Sequence, residues 1–157
     1  MNTYKIPFSG RAHAYTEAEV EAVVDAMRNA DPLTQGKHRN QFETSFIDFQ
    51  GGTGQASAMG CATDALEIVA QLCQFSPGDE FIIPAHTYTA SCYPFIKKGG
   101  SPVWSDIDLQ SRVVTADTIE KCLTSRTKVI VVVHLYGYVV EMEPILELAK
   151  ANDLLVV

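Results

Sequence analysis

Apolar positions along the chain follow two rhythms. The first is helical. Thr16-Glu17-Ala18-Glu19 reads as a capping box, and Val20, Val23, Val24 and Met27 follow at a spacing that puts them on one helix face. Asp31-Pro32 closes this helix, because a proline disfavours helical geometry in the residue before it. A second helix carries Phe42, Phe46 and Phe49 on one face and stops near Gly51-Gly52. For these phenylalanines the expectation is core packing.

The second rhythm starts at residue 55. Short strand-like runs at 55–59, 80–83, 102–105, 128–133 and 154–157 alternate with helical stretches at 62–74, 87–98, 116–123 and 141–151. Such alternation predicts βαβ units and an α/β fold with a mainly parallel sheet. The run Val129-Ile130-Val131-Val132-Val133 has no polar alternation, as expected of a strand covered on both faces. Turn signals punctuate the pattern at Pro77-Gly78-Asp79 and Gly99-Gly100.

Composition narrows the function classes. The 157 residues carry a formal net charge of -7, which argues against a nucleic-acid or anionic-membrane surface. One anionic small ligand remains possible, since a few amides or cations can hold a phosphate. No stretch approaches the roughly 20 apolar residues of a membrane span, and Met1 to Lys5 show no signal-peptide core. Cys61, Cys73, Cys92 and Cys122 are scattered, which favours reduced thiols and a cytoplasmic setting over a disulfide framework. His13, His38, His86 and His134 have no metal-ligand spacing, so no metal site is expected.

In open α/β sheets ligands gather beyond the carboxyl ends of the strands, and three such ends stand out. At Gly60-Cys61-Ala62-Thr63-Asp64 a small-residue turn leads into a helix starting at or near Thr63. Its free amides suit a phosphate, although an ordinary turn with Thr63 as N-cap has the same sequence. At Pro84-Ala85-His86-Thr87-Tyr88 an aromatic ring follows a strand. It can stack on a flat heterocycle or pack over the sheet, and the residues alone favour packing. At His134-Leu135-Tyr136-Gly137 two more rings follow a strand, with Gly137 free to adopt positive φ.

Together these segments resemble the DegT/DnrJ/EryC1/StrS aminotransferases. The resemblance also rests on Pro32-Leu33-Thr34-Gln35-Gly36, Phe42-Glu43, Phe46, Thr63-Asp64-Ala65-Leu66, Pro77-Gly78-Asp79-Glu80, Asp106-Ile107-Asp108 and Arg126-Thr127-Lys128, in order across nearly the whole chain. It implies a three-layer α/β/α fold like the large domain of fold-type I enzymes that use pyridoxal 5'-phosphate (PLP). Residues 1–53 would be an N-terminal helical segment and 54–157 an incomplete PLP-binding large domain.

The implied activity is amination of a keto group on a nucleotide-linked sugar, with an amino donor such as glutamate, by a homodimer. The implied cofactor-binding residues are Ala62 and Thr63 on the phosphate and Tyr88 on the pyridine ring. Ala62 replaces the family's usual Gly, and Tyr138 stands where Gln is common. No catalytic residue is assigned: the Schiff-base lysine is expected beyond residue 157, and Lys97, Lys98, Lys121, Lys128 and Lys150 do not match its place. The same resemblance admits sugar dehydratases with histidine at that position, and an inactive fragment or pseudoenzyme. A Rossmann-like nucleotide module is a further alternative, but it predicts a glycine-rich first turn that this chain lacks. The resemblance also places sheet neighbours of 55–59 beyond residue 157. By itself the chain is therefore expected neither to transaminate nor to fold stably, with the helix after 55–59 lacking a platform.

Overall fold

Helix α1, Glu17–Asn29, begins where the sequence says it should. The Thr16 hydroxyl accepts from the Glu19 amide at 3.3 Å, and the Glu19 carboxylate accepts from the Thr16 amide at 2.7 Å, closing the capping box. Helix α2 covers Lys37–Phe49. The computed structural model describes residues 14–32 and 34–157, and these divide into two units, one ending at Ala58 and the other spanning Met59–Val157. In the first unit neither helix buries a residue. Val20, Val23, Val24, Met27, Phe42, Phe46 and Phe49 are all exposed, so the core packing expected of the phenylalanines is not found among the described residues. Phe42 and Phe46 meet each other, with ring centroids 6.3 Å apart.

The second unit is the α/β part. Helix α3 spans Ala62–Leu72, strand β1 Glu80–Pro84, helix α4 Tyr93–Lys97 and strand β2 Ser101–Ser105. Helix α5 spans Ala116–Glu120, strand β3 Thr127–Ile130, helix α6 Met142–Ala151 and strand β4 Leu155–Val156. The four strands form one sheet in the order β2-β1-β3-β4, and every pairing is parallel. Backbone bonds continue past the formal strand ends, from the Val131 amide to Ile82 O at 2.8 Å and from the Val132 amide to Val157 O at 2.8 Å.

Side-chain alternation, invisible in an all-apolar run, sorts the sheet into two cores. Phe81 and Ile83 of β1 join Val129 and Val131, and are covered by Leu66, Ala70 and Cys73 from α3 and its end and by Phe95 of α4. Ile82 and Ile130 face the other way, under Ile119 of α5 and Ile145 and Ala149 of α6. The result is the α/β/α layering, with β1 buried along its whole length.

Three expectations need correction. Residues 55–59 form no strand. They have no ladder partner in the sheet, and an isolated strand leaves its backbone groups unpaired. The helix that follows nonetheless has a platform, since Ala70 is fully buried in the first core. The single helix expected over 87–98 breaks into a 3-10 turn at Thr89–Ser91 and the short α4. Pro94 explains the break, because it has no amide to continue the ladder from the turn.

Candidate functional site

The carboxyl ends of β1 and β3 and the start of α3 carry the residues singled out from sequence. The N-cap of α3 is Cys61, in extended conformation at φ -160 and ψ 170, and not Thr63. Cys61 makes no side-chain capping bond. The first amide taken up within the helix is that of Ala65, to Cys61 O at 3.3 Å. The amides of Ala62, Thr63 and Asp64 therefore lie ahead of the ladder, at the positive end of the helix dipole. Gly60 and Asp64 lie close together here. A Cβ on Gly60 would lie 2.7 Å from Asp64 Oδ2, so the Asp64 carboxylate folds back over the turn.

Beyond Pro84 the chain leaves β1, with the Ala85 amide still bonded to Ser105 O at 3.0 Å. Tyr88 then caps the 3-10 turn, its carbonyl accepting from the Ser91 amide at 2.9 Å. Its side chain is 74% exposed, so packing over the sheet does not explain this ring. Helix α3 contacts both this turn and α4, and Lys97 Nζ meets Glu67 Oε1 at 2.8 Å to tie the two helices. The Ala62–Thr63 pair and Tyr88 thus belong to segments that pack together. Thr87 and Thr89, the sequence neighbours of Tyr88, help line a concavity of about 340 Å³ with Tyr93 and Trp104. The Thr87 hydroxyl oxygen is buried with no hydrogen-bond partner among the described residues, an uncommon state for a buried polar atom.

The histidines gain partners that sequence proximity did not show. His86 meets Tyr136 edge-on, with ring centroids 6.0 Å apart and planes at 63°. His134 accepts at Nδ1 from the Val140 amide at 3.0 Å. Tyr136 itself lies in the left-handed region at φ 55 and ψ 22, a geometry that costs a non-glycine residue roughly 1–2 kcal/mol. Among the described residues no cluster of three or more His, Cys, Asp or Glu is arranged to hold a metal. All four cysteines are free thiols, and burial pushes the Cys73 and Cys92 thiols above their ordinary value. No helix of the described residues is long and apolar enough to cross a membrane.

Residues 14–157 match the DegT/DnrJ/EryC1/StrS aminotransferase family. The chain belongs to that family. Among DegT/DnrJ/EryC1/StrS relatives, it is similar to a GDP-perosamine synthase of Caulobacter vibrioides, 36% identical over 139 residues, covering 88% of this chain and 37% of that protein. The fold is similar to an aminotransferase from Psychrobacter cryohalolentis, with a TM-score of 0.85 and 35% identity over 96% of this chain and 38% of that one. It is equally close in fold to a Bacillus subtilis structure described as ntda with bound cofactor PMP (TM-score 0.85, 31% identity, 99% of this chain and 36% of that one). The chain thus spans well under half the length of the curated relatives it matches.

Proposed function

We propose that the protein carrying this chain is a PLP-dependent aminotransferase that converts a keto group on a nucleotide-linked sugar to an amine, using a donor such as glutamate. It would work as a homodimer in the cytoplasm. Four free thiols fit a reducing compartment. The observation that carries the reading is the conjunction of unspent amides at the start of α3 with an exposed ring at Tyr88 on a segment packed against that helix. The names of the similar proteins, a perosamine synthase and a PMP-bound structure, point the same way.

The residues fit the cofactor's chemistry. The amides of Ala62 and Thr63 and the Thr63 hydroxyl would hold the phosphate, as helix N-termini hold anions. The ring of Tyr88 would lie on the pyridine and fix its plane. Bound PLP supplies an electron sink for the amino-transfer chemistry. The Ala62 methyl, where the family commonly has Gly, would narrow the phosphate cradle, and the Asp64 carboxylate approaches Gly60 in the same turn.

The test is direct. Purified full-length protein should be yellow, and borohydride should fix the cofactor to a lysine outside residues 1–157. Fixation failing because a histidine stands at that position would make the protein a dehydratase of the same family. A colourless protein indifferent to added PLP rejects both.

A further inference from the structure

The conformation of Tyr136 is unusual for its residue type. The residue is a bulky aromatic held at positive φ, yet its side chain is 83% exposed, so burial does not account for the conformation. Gly137, at φ 84, could have supplied the turn's left-handed residue alone. Strain kept at an exposed ring points to something the ring meets. Its place narrows what that is. His86 and Tyr136 follow the carboxyl ends of β1 and β3, adjacent parallel strands, and Tyr88 comes two residues after His86.

What holds the ring there is His134. Val140 is buried, and its amide needs a partner. The loop between the end of β3 and α6 offers it no strand, and His134 Nδ1 takes the bond across six residues at 3.0 Å. An imidazole that accepts at Nδ1 carries its proton on Nε2. This bond closes the loop 134–140, and with it the two-residue left-handed turn that sets Tyr136 against His86.

We infer that His134 is a positioning residue, and that its clasp on Val140 holds Tyr136 as a wall of the site that contacts the sugar portion of the substrate. This rests on the aminotransferase reading, because that reading puts the cofactor against Tyr88. His134 acts through the loop. Tyr136 discriminates substrates by presenting a flat, partly apolar face with a phenol at its rim.

The test uses the full-length protein in wild type, His134→Ala, His134→Asn and Tyr136→Gly forms. Each is scored for PLP absorbance, for exchange of the Val140 amide, and by calorimetry with UDP-, dTDP- and GDP-glucose as product-like probes. His134→Ala should expose the Val140 amide and weaken the probe that binds by about tenfold, with PLP absorbance unchanged. His134→Asn places a carbonyl oxygen near the position of Nδ1 and should restore both. Tyr136→Gly relieves the backbone strain, so it should keep the fold while weakening the probe to a similar degree. Unchanged probe affinity in Tyr136→Gly, or a failure of His134→Asn to rescue, overturns the inference while PLP binding persists. A PLP-binding wild type that takes none of the three probes overturns it as well. Loss of PLP absorbance in the wild type is the distinct result that rejects the aminotransferase reading, and this inference with it.

Discussion

Tyr88 shows how one residue's exposure changes its meaning. From sequence its ring could pack over the sheet, but the side chain stands mostly in solvent. For the full-length protein, Tyr88→Ala is expected to weaken PLP binding by roughly 0.5–1.5 kcal/mol beyond the lost burial, and Tyr88→Phe to be nearly neutral. Equal PLP affinity in wild type and Tyr88→Ala, measured by titration of the cofactor absorbance, would refute a role for the ring. Gly100 carries a different kind of information. The pair Gly99-Gly100 reads as a turn, yet only Gly99 needs its positive φ of 97. Gly100 is there for space: a Cβ would come within 2.9 Å of Phe81 Cδ1 and 3.0 Å of Phe75 Cε1. Those rings belong to the cluster of Phe75, Phe81 and Phe95, whose centroids lie 5.3 to 6.5 Å apart. Gly100→Ala should therefore cost about 1–3 kcal/mol through overpacking, seen as a lower Tm in a thermal melt. A Tm within error of wild type would mean that the rings move aside freely.

At the scale of elements, the entry to β1 is tied to the loop before β3 by a small polar network. The Glu80 carboxylate accepts from the Thr124 hydroxyl and from the Arg126 guanidinium, whose Nε lies at 2.9 Å. Lys128 Nζ bonds Gln74 O at 2.8 Å and Asp79 Oδ2 at 3.2 Å. The Thr124 hydroxyl, then Arg126, holds Glu80 below its ordinary value. The Ser76 amide, then Lys128, does the same for Asp79. Carboxylates lowered in the folded state contribute stability that is full above their unfolded values, about 4, and is lost as pH falls through the folded ones. Tm should accordingly drop below about pH 4, and Glu80→Gln should flatten that part of the profile. The effect is bounded because the Arg126 side chain is 61% exposed. An unaltered acid limb in Glu80→Gln would show that this network does not sense pH.

The same scale shows what sequence made legible. Helices and strands from Ala62 to Val156 follow the alternation of apolar runs, and the capping box placed the start of α1 within a residue. Residues 55–59 failed because strand character is settled by partners, which a local pattern does not contain. Helix α3 starts at Ala62, where the 62–74 stretch put it; only the cap differs, because the turn gives the extended conformation to Cys61 and Thr63 already lies inside the helix. The contact of His86 with Tyr136 was illegible for a simpler reason: it joins residues 50 positions apart across two adjacent strands.

At the scale of the molecule, the two units differ in what holds them. Met59–Val157 has two apolar cores on either side of a parallel sheet, and Phe81, Ile83, Val129, Ile130 and Ile145 are fully buried. The unit ending at Ala58 has two 13-residue helices with no buried residue. Helices of that length are marginal in water without tertiary packing, even with a capping box worth about 1 kcal/mol. The isolated 157-residue chain should therefore not behave as one cooperative body. In hydrogen exchange, the amides of Ile82, Ile83, Ile130 and Val131 should be protected, while those of α1, α2 and residues 55–59 exchange within the dead time. This replaces a uniform failure to fold with a division at Ala58: α3 keeps its platform through Ala70, so the amides near Val69 and Ala70 should be protected too. Any amino transfer by the isolated chain would contradict the assignment of the Schiff-base lysine elsewhere. Protection of α1 and α2 equal to that of β1 would show that the exposed stripes of Val20, Val23, Met27, Phe42 and Phe46 have found a partner within the chain itself.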